Sequence, residues 1–329
     1  MSKPLASLSL DLDNKWSYMK THGDGGWETF PSYLDIVVPR ALQFMAERDL
    51  TITFFIVGQD AALEKNRAAL SSIAAAGHEI GNHSFNHEPW LHLYSEEQIE
   101  DELARAEQAI EAATGRRPHG FRGPGFSLSP AVLNALQRRG YEYDASTFPS
   151  FLGPLARAYY FMTTKLTPEE RAQRKQLFGQ AREGLRPLKP YRWQLDEGAL
   201  LEIPVTTMPI FKVPIHISYV LYLAALAPPL ATRYFQMALA LCRLTGAQPS
   251  ILLHPLDFMG ADDNQPELAF FPAMNQPAAK KVKIISDALA HLTKNFQVLS
   301  MEQHARAAAA QNLPLLKTDT LPAAAPVSA

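Results

Sequence analysis

From residue 5 to about residue 145 the chain repeats one pattern: a short apolar run, a polar turn, then a stretch with helical spacing. The run "LTITFFIVG" (50–58) is β-branched and aromatic, which marks a buried strand. Shorter strands are expected in "LSLDLD", "GHEIGNHS", "HGFRGPG" and "YEYDAS". Between them, helical spacing occupies 34–48 despite Pro39, and a further helix runs through about Ala76. Ser95, followed by Glu97 and Gln98, caps a helix to about Ala113, and Ser129-Pro130 opens another. Strands alternating with helices of this length leave a parallel sheet or a closed βα barrel.

The alternation is interrupted by two insertions, at about 149–199 and 209–248. The first contains the charged stretch "RAQRKQLFGQAREGLRPLKPYRW"; strands are expected after it in "LLEIPVTT" and "SILLHPLDF". The second holds a strongly apolar segment, 215–242, which Pro228-Pro229 splits and Arg233 interrupts, so neither piece spans a bilayer comfortably. A helix over 277–292 and a strand in "FQVLS" complete one domain, residues 1–302. The Ala/Pro-rich 303–329 is expected to be a disordered tail. With 329 residues the chain can bury a large core, and its net charge of -2 lacks the basic footprint that nucleic acid requires. Cys242 is the only cysteine, which excludes an internal disulfide framework and a Cys-rich zinc site. "MSKPLASLSLDLD" runs into the first strand with no long apolar signal segment, so a cytoplasmic location is the expectation.

Chemistry-bearing residues collect where the strands end. Asp11 and Asp13 are two apart, so a strand turns both carboxylates to one face and Leu12 to the other. His83 and His87 are four apart and can meet one ion if the chain turns helically after the strand; a carboxylate could complete the ligand set. His78 and His92 read as local hydrogen-bonding or surface residues. Arg122 precedes the turn Gly123-Pro124-Gly125, which can aim backbone N–H groups at an oxyanion while a carboxylate holds the arginine. Asp144 and His254 each end a further expected strand. Five separate strand ends thus present Asp, His, Arg, Asp and His, at the edge where βα folds place their sites.

In their order along the chain, Asp11-x-Asp13, His83-Ser84-x-x-His87, Arg122-x-Pro124, Asp144 and Leu253-His254-Pro255 resemble the polysaccharide deacetylase (NodB-homology) family. The resemblance covers roughly residues 5–300. It implies an irregular (β/α)7-type barrel and a metal-dependent hydrolase that removes an N-acyl group, acetyl or formyl, from an amino sugar. It further implies Asp11 as general base and Asp13, His83 and His87 as metal ligands. Arg122 would position Asp11, the Gly125 N–H would serve the oxyanion, and His254 would be the general acid, tuned by Asp144. Zinc is the favoured ion, with Co²⁺, Ni²⁺, Fe²⁺ and Mn²⁺ suiting the same ligands. The family's commoner pattern has two adjacent Asp residues, whereas Leu12 separates them here. That spacing resembles peptidoglycan deacetylase-like, allantoinase-like and lipid-linked sugar deformylase members. The substrates to consider are therefore an amino sugar in a glycan, a lipid-linked form of it met by membrane contact through 215–242, or a small ureide. A non-catalytic carbohydrate-binding barrel is the remaining alternative.

Overall fold

The computed structural model describes residues 3–167, 171 and 181–321. Ten strands among them join in one sheet: β1 (Leu5–Asp11), β2 (Thr53–Ile56), β3 (Glu79–Asn82), β4 (Gly120–Phe121), β5 (Tyr143–Asp144), β6 (Tyr191–Leu195), β7 (Gly198–Glu202), β8 (Ser250–Leu253), β9 (Gln297–Leu299) and β10 (Leu315–Lys317). The order β8-β1-β2-β3-β4-β5-β7 is parallel throughout. After β7 the chain swings back to β8: Thr206 N donates to the Ser250 carbonyl at 3.0 Å, and Ser250 N to Thr206 Oγ1 at 2.8 Å. These bonds bridge the first and last strands of the series, giving an irregular (β/α) barrel. The two-residue strands β4 and β5 are what make it irregular.

β1 shows why the strands sort as they do. Ala6, Leu8, Leu10 and Leu12 join the apolar cluster between barrel and helices, while the alternate Ser7, Ser9 and Asp11 make side-chain bonds to His304 and Arg122. Phe55, Tyr143, Leu201 and Ile203 form a separate cluster with Met301, Ala305 and Ala308 of the helix Met301–Ala309. That helix caps the N-terminal mouth of the barrel. Met301 N bonds Thr53 Oγ1 and Glu302 N bonds Glu79 Oε2, both at 2.7 Å, on the first residues of β2 and β3.

The expected helices appear as Leu34–Ala46, Glu64–Ala75, Glu96–Thr114, Pro130–Arg138 and Ala278–Asn295, and Ser95 forms a capping box with Gln98. One reading is corrected. The end of the chain is ordered past residue 303: the helix Met301–Ala309 plugs the barrel, and β10 covers the open edge of β6. Residues 322–329 of the expected tail lie outside the described residues. Within the first insertion the structure adds the strand β6, which pairs antiparallel with β7 at the start of the strand expected in "LLEIPVTT". The charged 172–180 lie outside the described residues. The apolar segment forms two helices, Ile217–Leu226 and Pro228–Thr245, broken at the expected prolines. Among the described residues no helix is long and apolar enough to cross a membrane.

Candidate active site

The C-terminal ends of β1, β3, β4 and β8 converge. Asp13 Oδ1 lies 3.2 Å from His83 Nε2 and 2.9 Å from His87 Nε2, and the three side chains are buried. The two histidines do not meet through a helical turn. Ser84 and His87 both adopt left-handed backbone, φ +60° and +52°, and Glu102 Oε2 accepts from Phe85 N and Asn86 N to hold that loop. Non-glycine residues in this region are costly and recur at functional sites. His83 donates Nδ1–H to the Arg122 carbonyl at 2.6 Å, which turns its Nε2 lone pair toward Asp13. Burial opposes ionisation of Asp13, yet the His87 and His83 imidazoles hold its carboxyl well below the usual carboxylate range. Two imidazole nitrogens and an ionised oxygen within 4.8 Å of one another fit a divalent cation.

The loop after β1 is fixed by a residue that the sequence reading did not single out. Asp60 Oδ1 accepts from Asn14 Nδ2 at 2.7 Å and Trp16 Nε1 at 2.9 Å, tying down the segment that follows Asp13. Burial pushes the Asp60 carboxyl up to about 7, against those donors. Tyr33 Oη donates to the Asp13 carbonyl at 2.6 Å.

Arg122 is fully buried and reaches the carboxylate of Asp11. Its Nη1 donates to Asp11 Oδ1 at 2.7 Å and to Ser9 Oγ at 2.8 Å, and Nε donates to the Ala145 carbonyl at 3.0 Å. The following turn is tight: a Cβ on Gly123 would lie 2.2 Å from the Ser127 carbonyl oxygen. Gly125 has φ +57° and is exposed at the mouth.

The structure gives His254 partners other than the one expected. Its Nδ1 lies 3.0 Å from Ser218 Oγ, and its backbone N donates to Asp257 Oδ2 at 2.8 Å. The Ser218 hydroxyl also hydrogen-bonds the Asp257 carboxyl, which burial pushes up and the His254 charge draws down. Asp144 is engaged elsewhere. It accepts from Ser146 Oγ at 2.6 Å, and Ser146 Oγ in turn accepts from Gly123 N at 2.8 Å. Its other neighbour is the buried Glu202, whose carboxyl is pushed well up by burial and by the Asp144 charge. Asp144 therefore braces the turn after Arg122, and Ser218 with Asp257 orients His254. A signal for Asp257 was present: it stands three residues after His254, and the two form a capping box. Ser218 and His216 were polar residues in an apolar run. His78 and His92 are buried and locally bonded, to Ile52 N and Ser127 Oγ.

Residues 24–143 match the family model described as polysaccharide deacetylase. That span holds His83, His87 and Arg122, and lies between the Asp11–Asp13 pair and the remaining site residues, Asp144 and His254. A peptidoglycan deacetylase of Helicobacter pylori is 29% identical over 149 residues, 43% of this chain and 49% of that protein. A peptidoglycan-N-acetylglucosamine deacetylase of Bacillus cereus is 30% identical over 144 residues, 43% of this chain and 61% of that protein. The chain thus spans only part of the length of these curated relatives. Among solved structures, a Mycobacterium smegmatis protein provisionally assigned to the polysaccharide deacetylases aligns with a TM-score of 0.59 at 20% identity, covering 95% of this chain and 97% of that one. Puue allantoinase aligns with a TM-score of 0.55 at 16% identity, covering 93% and 90%. At those identities the two structures speak for the fold. Over residues 24–143 this chain is thus similar in sequence to the polysaccharide deacetylase family, and its overall fold is the one those two structures share.

Proposed function

We propose that the protein is a metal-dependent N-deacylase acting on an acylated amino sugar. The observation that carries this reading is the joining, through Arg122, of a buried Asp13–His83–His87 donor set to a second carboxylate, Asp11, on a strand whose neighbour β8 ends at a histidine held by Ser218 and Asp257. Bound by Asp13, His83 and His87, a divalent cation, zinc foremost, would supply Lewis acidity toward the amide carbonyl and make a water acidic. Asp11 has one oxygen fixed by Arg122 and takes the water proton on the other, as the water oxygen bonds to the acyl carbon. The Gly125 N–H, in the turn after Arg122, would donate to the oxygen that gains charge. His254, oriented through Nδ1 by Ser218, gives a proton from Nε2 to the nitrogen as the C–N bond breaks, leaving a free amine and a carboxylic acid. The peptidoglycan deacetylases among the relatives support an amino sugar within a glycan as substrate class.

A lipid-linked form of the sugar is the finer version of this reading. It is supported by the outward apolar residues of the 215–242 segment, Leu226 and Leu230, which are 87% and 54% exposed. Membrane contact there would suit a cytoplasmic enzyme working at a bilayer surface. Release of acetate or formate from a panel of N-acyl amino sugars, free, polymeric and polyprenyl-linked, tests the proposal. Amine release that disappears on chelation and returns with zinc supports it. Hydrolysis of small ureides alone, or glycan binding without release, would replace it.

A further inference from the structure

Beside His254 stands a second imidazole that the chemistry above does not use. His216 precedes the helix Ile217–Leu226, and its ring centroid lies 5.5 Å from that of His254. It is 6% exposed, yet its Nδ1 is buried without a partner and the described residues provide no hydrogen bond to the ring. Buried polar side chains are nearly always paired, and a position that only had to fill space would take a phenylalanine or leucine without that cost.

The surroundings of the ring have a direction. Phe126, one residue past Gly125, stacks on Phe148 with centroids 4.6 Å apart and planes 17° apart. Phe148 is 5.9 Å from His216, whose ring meets Tyr219 edge-on at 4.5 Å. One aromatic wall therefore runs from the turn after Arg122 to the general-acid histidine, with His216 in its middle. Phe126, Phe148 and Tyr219 are each partly exposed. Burial, with the His254 and Arg122 charges adding to it, holds the His216 imidazole well below its ordinary range. As a neutral imidazole it keeps one donor and one acceptor nitrogen.

We propose that His216 is a substrate-binding residue: its imidazole hydrogen-bonds a ring hydroxyl of the amino sugar, whose apolar face lies along Phe126, Phe148 and Tyr219. This rests on the N-deacylase reading and narrows it to amino sugars in the ring form, whose axial C–H groups give the apolar face that such a wall would meet.

The test compares wild type with His216→Phe and His216→Gln in the full, metal-loaded chain, using acetate release from N-acetylglucosamine oligomers. The Phe variant should raise KM about tenfold with kcat within about threefold, the signature of lost uniform binding. The Gln variant, which keeps a donor and an acceptor, should return KM to within about threefold of wild type, and neither should move the limbs of the kcat–pH profile. Should His216→Phe not fold by thermal melting, His216→Ala takes its place under the same criterion. An unchanged KM in the apolar variant would overturn the inference and leave the N-deacylase reading standing. A kcat loss of about a hundredfold with the basic limb gone would also overturn it, by making His216 the proton donor. Wild type that releases acetate from no amino-sugar substrate would remove the parent reading, and this one with it.

Discussion

At the scale of single residues, alternation along β1 was enough to place Asp11 and Asp13 on one face and Leu12 in the core, and all three are buried there. Arg122 was legible for a similar reason: a guanidinium ending an apolar strand needs a carboxylate, and Asp11 supplies it at 2.7 Å. The partner of His254 was not legible. Ser218 is 36 residues away, and only the packing of the helix Ile217–Leu226 over β8 brings it to Nδ1. Replacing Ser218 by Ala leaves His254 Nδ1 without its bond and takes a donor from the buried Asp257. We expect kcat to fall about tenfold with KM nearly unchanged, as for other positioned acid–base groups. Steady-state kinetics against pH checks this. Asp144→Asn should instead act through the turn after Arg122, lowering the melting temperature along with activity.

At the scale of elements, the helices were readable from caps and spacing, but three local arrangements were not. The His83–His87 loop uses left-handed residues where a helical turn had been expected, a choice fixed by Glu102 and Asn82 side chains that accept its backbone N–H groups. Gly123 has an ordinary extended backbone, so its requirement appears only in three dimensions. A methyl group there meets the Ser127 carbonyl, and Gly123→Ala should cost about 2–3 kcal/mol in urea unfolding and displace Arg122. The helix Met301–Ala309 was hidden by its alanine-rich composition, because small residues suit a helix that must fit into a barrel mouth. Its fully buried His304 bonds Ser7 Oγ and Gln248 Oε1, and burial lowers the imidazole to about 4. A depressed imidazole stabilises the fold above the unfolded value near 6.5, and that stability is lost as pH falls from there toward 4. Of the decline in unfolding free energy between those limits, about 3 kcal/mol should be absent from His304→Gln. Denaturant melts of both proteins at a series of pH values measure the difference.

At the scale of the whole molecule, the barrel gathers a site from parts far apart in the chain. The family match covers 24–143, whereas Asp13 lies before it and Ser218, His254 and Asp257 lie well after it. Closure of the barrel through Thr206 and Ser250 joins these halves, so the site exists only when the full chain is folded. The order of the strands' chemical residues made that assembly readable. The β6–β7 hairpin and the C-terminal plug, which carry no catalytic residue, left no such mark. A cation held by Asp13, His83 and His87 binds only the folded state, so added zinc should raise the melting temperature by several degrees in a concentration-dependent way. His83→Ala should abolish that rise. The most direct measurement is acyl release by wild type and Asp11→Asn, each first shown to hold the same stoichiometric metal. The proposed mechanism predicts at least a hundredfold slower release from Asp11→Asn at equal metal content, or about 3 kcal/mol of lost transition-state stabilisation. Equal rates from the two proteins would contradict it.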